Sequence, residues 1–228
     1  MQRVLEPEVM DTAVEAADYD AMDHREVNRR FVDDLLACRL EPELAPAEPL
    51  MVVDIGTGTA QIPIELCRSV DTVHVTGVDL AAHMLQLGQR NIVAAGLQSR
   101  IRLELVDAKG LPFGDGEFDW VISNSIVHHI PEPLDAFAEM VRIVRPEGLL
   151  FVRDLLRPGD AAEVEHLVQT YAREANLHQQ QLFRQSLHAA LSLDELRELL
   201  ERLGLPREWA QQTSDRHWTI AGRMPAKS

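Results

Sequence analysis

The chain has 228 residues, enough for one full-sized core, and its 46% hydrophobic and 26% charged residues fit a folded domain and exclude a disordered segment. A formal net charge of -15 would repel a phosphate backbone, so nucleic acid is not expected as a partner. The two cysteines, Cys38 and Cys67, cannot make a zinc set, no run reaches the ~18 apolar residues of a membrane span, and the N-terminus lacks a signal-peptide pattern. A cytoplasmic protein without membrane contact, monomer or homodimer, is expected.

In chain order, residues 8–40 predict a mostly helical segment with Phe31, Leu35 and Leu36 on an apolar stripe, and three prolines after Glu41 predict a linker. From 50 to 154, short apolar runs alternate with amphipathic stretches, the signature of βαβ units feeding a parallel sheet. Strands are expected at 50–55, 73–79, 101–106, 120–124 and 149–154, with helices at 61–68, 82–95 and 133–144. Arg157-Pro-Gly then breaks the chain, and 157–191 reads as a helical insertion with helices at 161–175 and 179–191. Ser192 and Glu195 fit a capping box, Gly204 and Pro206 end that helix, and a pair of strands is expected at 208–213 and 216–223. The expected fold is therefore a single α/β domain over 1–228. It has a doubly wound, mostly parallel seven-stranded sheet with helices on both faces, an N-terminal helical lid, a helical cap insertion after the fifth strand, and a last helix with terminal strands in 192–228.

The chemistry concentrates at strand ends. Val52-Val-Asp-Ile-Gly-Thr-Gly-Thr-Ala-Gln is a strand closing in a glycine turn that opens a helix, a form that lets backbone approach a ligand closely. A dinucleotide fingerprint would place a third glycine where Gln61 stands, and Asp54 beside the turn suits a cationic amino-acid ligand better than a pyrophosphate. Asp79 ends the next strand, where a carboxylate can accept from both hydroxyls of a ribose. The third strand ends at Asp107 and Ala108, the fourth at Ser123, Asn124 and Ser125, so four strand ends can face one cleft. Taken singly, Asp54 or Asp107 is equally a helix cap.

The ordered set DIGTGTA at 54–60, VTGVDLAAHML at 75–85, VDAKGLPF at 106–113, FDWVISNSIVHHI at 118–130 and IVRPEGLLFVRD at 143–154 resembles class I S-adenosylmethionine-dependent methyltransferases. Within them it looks most like the group that includes the ubiquinone and menaquinone C-methyltransferases and many natural-product enzymes. The resemblance covers about residues 50–154. It implies S-adenosyl-L-methionine as cofactor, with Gly56, Thr57, Gly58 and Thr59 forming the turn under its methionine part and Asp54 orienting that turn and the ammonium. It further implies that Asp79 binds the ribose hydroxyls, Leu80 and Met84 pack near the adenine, Asp107 and Ala108 receive its amino group and ring, and Asn124 and Ser125 contact the methionyl part. Ala60 replaces the family's more frequent glycine, a change expected to cost little.

The expected reaction is methyl transfer to a small-molecule acceptor by in-line displacement, the acceptor atom being O, N, C or S. Alternatives are a non-catalytic S-adenosylmethionine-binding regulatory protein and, less favoured, a nicotinamide-dependent oxidoreductase. A general base is expected among His128, His129 and Tyr19, and the bland reading of either histidine is a residue orienting the turn after the fourth strand. Adjacent on a helix, His128 and His129 would diverge by about 100°, so no metal pair and no metal dependence is expected. Tyr19, Asp20 and His24 form a second cluster on the N-terminal helices. Tyr171, His178, Gln181, Phe183, Arg184 and His188 are candidate acceptor contacts in the insertion.

Overall fold

The computed structural model describes residues 1–6, 12–20, 24–38 and 49–226, without the side chains of 14, 15, 18 and 19. Seven strands, β1 (Leu50–Ile55), β2 (Val73–Asp79), β3 (Ile101–Leu105), β4 (Phe118–Asn124), β5 (Val144–Leu155), β6 (Ala210–Gln212) and β7 (His217–Arg223), form one sheet in the order β3-β2-β1-β4-β5-β7-β6. The pairs β1·β2, β1·β4 and β2·β3 are parallel, whereas β6·β7 is an antiparallel hairpin, so the sheet is mixed. The helices are α1 (Ala13–Asp20), α2 (Arg25–Ala37), α3 (Gln61–Ser69), α4 (Ala82–Ala95), α5 (Leu134–Ile143), α6 (Ala161–Tyr171), α7 (Leu177–Ala189) and α8 (Leu193–Arg202). None of them is long and apolar enough to cross a membrane.

The described chain divides into two compact units. One comprises Val9–Asn124, Asp135–Val152 and Ala221–Ser228, the other Met1–Glu8, Ser125–Leu134 and Arg153–Ile220.

In the first unit, Val52, Val75, Ile101, Trp120, Ile122, Leu149 and Phe151 share one buried cluster with Phe31, Val32 and Leu35 of α2 and Leu66 and Cys67 of α3. The intervening residues Val53, Ile55, Val78 and Val121 are equally buried. Both faces of the strands are therefore covered, which is why they read as continuous apolar runs. Phe31 meets Phe151 edge to face, with ring centroids 5.1 Å apart. The strand order reverses between β1 and β4, and such a switch point opens a crevice at the strands' carboxyl ends.

In the second unit, Leu155, Val164, Leu167, Val168, Leu187 and Ala190 pack between α6 and α7, with Phe183 against them. The expected capping box is present at Ser192 and Glu195. A second one, Asn176 with Gln179, starts α7 at Leu177, two residues before the expected boundary. Helix α6 stops at Tyr171, short of the expected Ala175.

Strand β4 begins at Phe118, two residues early, and β5 at Val144, five residues early. The β5 extension passes through a stretch that reads as a turn, Arg145-Pro-Glu-Gly. It is held by Glu147 N–H to the Met224 carbonyl (3.0 Å) and Met224 N–H to that of Gly148 (2.9 Å), a pairing no local pattern reveals.

Candidate functional site

The turn after β1 is fastened to β2. Gly56 and Thr57 N–H both donate to the Val78 carbonyl, at 2.8 and 2.9 Å. Gly58 N–H donates to Asp79 Oδ2 at 2.7 Å, and Asp79 Oδ1 accepts from Ala81 N–H at 2.9 Å. One carboxylate thus closes the turn and the start of α4 together. Gly56 and Gly58 have φ of 74° and 54°, the left-handed region that glycine tolerates. Ala60 also sits there, at φ 62°, where a Cβ costs roughly 1–2 kcal/mol. The replacement of glycine by Ala60 is therefore costlier than the sequence suggested.

Asp54 is buried under this turn, and its Oδ1 has no hydrogen-bond partner among the described residues. Burial, chiefly, pushes its pKa up to about 7; the Thr57 hydroxyl alongside opposes this, and the negative charge of Asp79 adds to it. The Thr59 hydroxyl is also buried and has no hydrogen-bond partner among the described residues. Such orphaned polar groups at one turn mark a place built to meet something polar.

Around the turn, Leu80 is 41% exposed, an apolar side chain offered directly after Asp79, and Met84 is half-buried on α4. Asp107 does not stand open: its Oδ1 accepts from Lys109 N–H at 2.9 Å and lies 3.2 Å from Lys109 Nζ. Ala108 beside it is half-buried, as is Asn124 at the end of β4. Ser123 Oγ donates to the Ile55 carbonyl at 2.8 Å, joining β4 to β1.

The end of α1 is tied to the same unit. Asp20 Oδ1 accepts from Gln61 Nε2 (3.2 Å) and Asn91 Nδ2 (2.8 Å), and Asn91 also donates to the Thr59 carbonyl (3.1 Å). Gln61, noticed in the sequence only as a missing glycine, and Asn91, not noticed at all, link the N-terminal helix to the turn. His24 stands at the N-cap of α2. Tyr19 lies on α1, but its side chain is outside the described ones.

In the other unit, Ser125 has φ 59° and donates its N–H to the Arg153 carbonyl at 2.9 Å. A 3₁₀ turn, Val127–His129, follows. Contrary to expectation, the rings of His128 and His129 do not diverge; their centroids are 4.1 Å apart at an interplanar angle of 37°. The divergence argument holds for an α-helix, and this tight turn is not one. The argument against a metal pair therefore falls.

Buried Asp154 explains the arrangement. Its Oδ2 accepts from Val127 and His128 N–H, and its Oδ1 pairs with His128 Nδ1 at 2.5 Å. Burial works to lower the His128 pKa, but the charge and hydrogen bond of Asp154, with the charge of Glu6, outweigh it and raise the value. Glu6 Oε1 lies 3.6 Å from His128 Nε2 and 3.1 Å from His129 Nδ1. Sequence reasoning missed Glu6 and gave Asp154 no role.

The insertion candidates are largely committed elsewhere. Tyr171 Oη donates to Asp215 Oδ2 at 2.6 Å under the Arg216 guanidinium, and Arg184 pairs with Glu165 at 2.6 Å. Phe183 packs into the α6–α7 core, His188 is half-buried, and His178 and Gln181 are exposed.

Residues 53–152 match the family model described as a methyltransferase domain. The chain is 35% identical over 114 residues to a demethylmenaquinone methyltransferase of Desulfitobacterium hafniense (strain Y51), covering 49% of this chain and 45% of that protein. Over residues 53–152 it carries a methyltransferase domain.

The chain is also 30% identical over 190 residues to a malonyl-[acyl-carrier protein] O-methyltransferase of Geobacter sulfurreducens (strain ATCC 51573 / DSM 12127 / PCA), covering 83% of this chain and 66% of that protein. A crystal structure of a SAM-dependent methyltransferase from Aquifex aeolicus superposes with a TM-score of 0.66 at 16% identity, covering 94% of this chain and all of the other. The chain spans about half the length of several curated relatives it matches. The cofactor of such domains is S-adenosylmethionine, and the turn after β1 fits it: a left-handed glycine turn, a buried carboxylate with an unpartnered oxygen, and a second carboxylate that holds the turn's backbone.

Proposed function

We propose that this chain transfers a methyl group from S-adenosylmethionine to a small-molecule acceptor. The observation that carries this reading is the pair of carboxylates around one glycine turn, Asp54 buried with an unpartnered oxygen and Asp79 holding the Gly58 N–H. When bound, the cofactor supplies a methyl group already activated on a sulfonium.

The protein's own residues then bind, orient and exclude water. Asp54 would meet the ammonium, whose positive charge offsets the burial that now raises its pKa. Asp79 would take the ribose hydroxyls, and exposed Leu80 with Met84 would cover one side of the adenine, with Asp107 and Ala108 at its edge. Gly56, Thr57, Gly58, Thr59 and Asn124 would line the methionyl part. The Asp20–Gln61–Asn91 ties would hold the N-terminal helix by the turn, as a lid that limits water. Segments 8–40 and 157–191 lie outside the matched stretch and would carry acceptor choice.

Among the catalytic candidates His128, His129 and Tyr19, His128 has its Nδ1 engaged by Asp154, so any proton it takes from an acceptor is taken at Nε2. The names of the relatives, a demethylmenaquinone, a malonyl-carrier and a 27-O-demethylrifamycin SV methyltransferase, support acceptors that are small or carrier-borne organic molecules.

Calorimetry with the demethylated cofactor, S-adenosylhomocysteine, tests the binding half. Asp79→Ala is expected to weaken binding by roughly 10- to 150-fold, the equivalent of about 1.5–3 kcal/mol for charge-assisted hydrogen bonds. Unchanged affinity would remove the ribose assignment. Methyl-labelled cofactor incubated with a metabolite extract tests the other half by mass spectrometry. A labelled product establishes transfer, and binding without any labelled product would favour a regulatory protein.

A further inference from the structure

We propose that Glu6, His128 and His129 form a binding site for a divalent first-row transition ion, with zinc the natural occupant. The inference does not rest on the methyltransferase reading, because ion binding is read directly.

The three side chains offer Glu6 Oε1, His128 Nε2 and His129 Nδ1, all within 4.8 Å of one another, the one such group of three among the described residues. Two imidazole nitrogens and a carboxylate oxygen are the donor set that zinc accepts in sites that keep a fourth position open. An ion about 2.1 Å from each donor would see Glu6 Oε1 and His129 Nδ1, 3.1 Å apart, at roughly 95°. It would see Glu6 Oε1 and His128 Nε2, 3.6 Å apart, at roughly 118°. These two angles bracket the tetrahedral value.

The hydrogen-bonding pattern points the same way. Glu6 Oε1 and His129 Nδ1 are both buried and 3.1 Å apart, yet neither has a hydrogen-bond partner among the described residues. A hydrogen bond needs the ring N–H to aim along the line joining the two atoms. A shared ion needs both to aim at a point beside that line, and it satisfies both at once.

His128 is prepared for the role. Its Nδ1 is bonded to Asp154, itself held by two backbone N–H groups, which leaves Nε2 as the free donor. A carboxylate behind a ligating histidine fixes the tautomer and raises the ring's basicity, as in carboxylate–histidine–zinc arrangements. Two carboxylates, Glu6 and Asp154, balance a dication.

The nearby cation Arg3 is turned onto carbonyls, donating to those of Ala189 (2.6 Å), Pro131 (2.9 Å) and Ile130 (3.0 Å), with His128 at 3.4 Å. That anchoring holds the N-terminal segment bearing Glu6 against the turn bearing both histidines. The His129 side chain, 23% exposed where those of Glu6 and His128 are 7% and 6%, marks the route of entry and the open coordination position. A water or an anionic oxygen ligand would complete the sphere.

The test titrates Co²⁺ into the chelator-stripped full chain and follows visible d–d absorption, with Zn²⁺ as competitor. One equivalent should bind with the intense bands of a four- or five-coordinate ion, and Zn²⁺ should displace it. Glu6→Gln and His129→Gln should each weaken binding at least about tenfold, whereas His166→Gln, on exposed α6, should leave it unchanged. His129 is the more exposed ligand, so its variant stays informative if Glu6→Gln fails to fold. No absorption at millimolar Co²⁺, or equal affinity in the His129→Gln protein, would overturn the site and leave Glu6 as the counter-ion of a protonated imidazole. S-adenosylhomocysteine affinity of the wild-type chain in chelator is measured alongside, so failure of the ion site and failure of the cofactor reading are separable.

Discussion

Asp54 sets burial against charge within one side chain. Its pKa near 7, against an ordinary 3.8, means that the ligand-free protein carries no penalty from this group below about pH 4. The penalty grows as pH rises through that interval and is complete above 7. Asp54→Asn removes it, so the ligand-free variant should be at least about 1 kcal/mol more stable than wild type at pH 8 and gain nothing at pH 4, as calorimetric scans would show. The same variant should bind S-adenosylhomocysteine at least about tenfold more weakly, because the ammonium favours the ionised carboxylate. Wild-type affinity should correspondingly rise with pH through 7. That Asp54 and Asp79 flank a glycine turn was legible from the sequence, since strand, glycine turn and helix follow one another without interruption. That Asp54 has an orphaned oxygen, or that Glu6 faces His128, was not: such facts depend on what lies across the fold. Tyr19 remains a candidate from sequence alone.

At the level of elements, the register Asp54↔Gly77 decides how β2 supports the turn. A Cβ on Gly77 would come 2.7 Å from Thr57 Oγ1, 2.9 Å from Thr57 Cγ2 and 2.8 Å from Leu103 Cδ2. Glycine is required here for space, not for an unusual φ. Gly77→Ala should destabilise by about 1–3 kcal/mol, as overpacking does, and should lower cofactor affinity because Thr57 must move. Denaturant unfolding with and without S-adenosylhomocysteine would separate the two effects. Helices and strands of the βαβ stretch were readable because apolar runs of the right length alternate with amphipathic ones; β1, β2 and α4 lie where periodicity put them. The start of α7 was also readable, since Asn176 followed by Gln179 is the pattern of a capping box. The early start of β5 was not readable: Pro146 and Gly148 signal a turn, and only pairing with Met224 makes a strand of it.

Across the whole molecule, acid sensitivity has a definable source in His217. Burial, then the charges of Arg216 and Arg153, push its pKa down to about 4, so it folds neutral. Its contribution is fully retained above the unfolded value of about 6.5 and is lost as pH falls from there toward 4, since only the unfolded chain takes up the proton. Stability should drop by about 2–3 kcal/mol over that window from this residue, and His217→Asn should flatten the drop in urea titrations at pH 4, 5 and 6.5. The class of fold was legible because five ordered motifs fix the order of strands and helices. The division into two compact units was not, because each of them is assembled from three separated stretches of chain.

The anchoring of Arg3 also has a chronology. Its guanidinium and the Ala189 carbonyl it grips are 186 residues apart, and Val4 N–H donates to His188 nearby. At synthesis rates of about 5–20 residues per second, the opening residues must wait roughly 10–40 s for partners that do not yet exist. Contacts of such separation close late and add little to the folding nucleus. The Glu6–His128–His129 cluster is therefore anchored late, once the stretch that supplies the Ala189 carbonyl has been made.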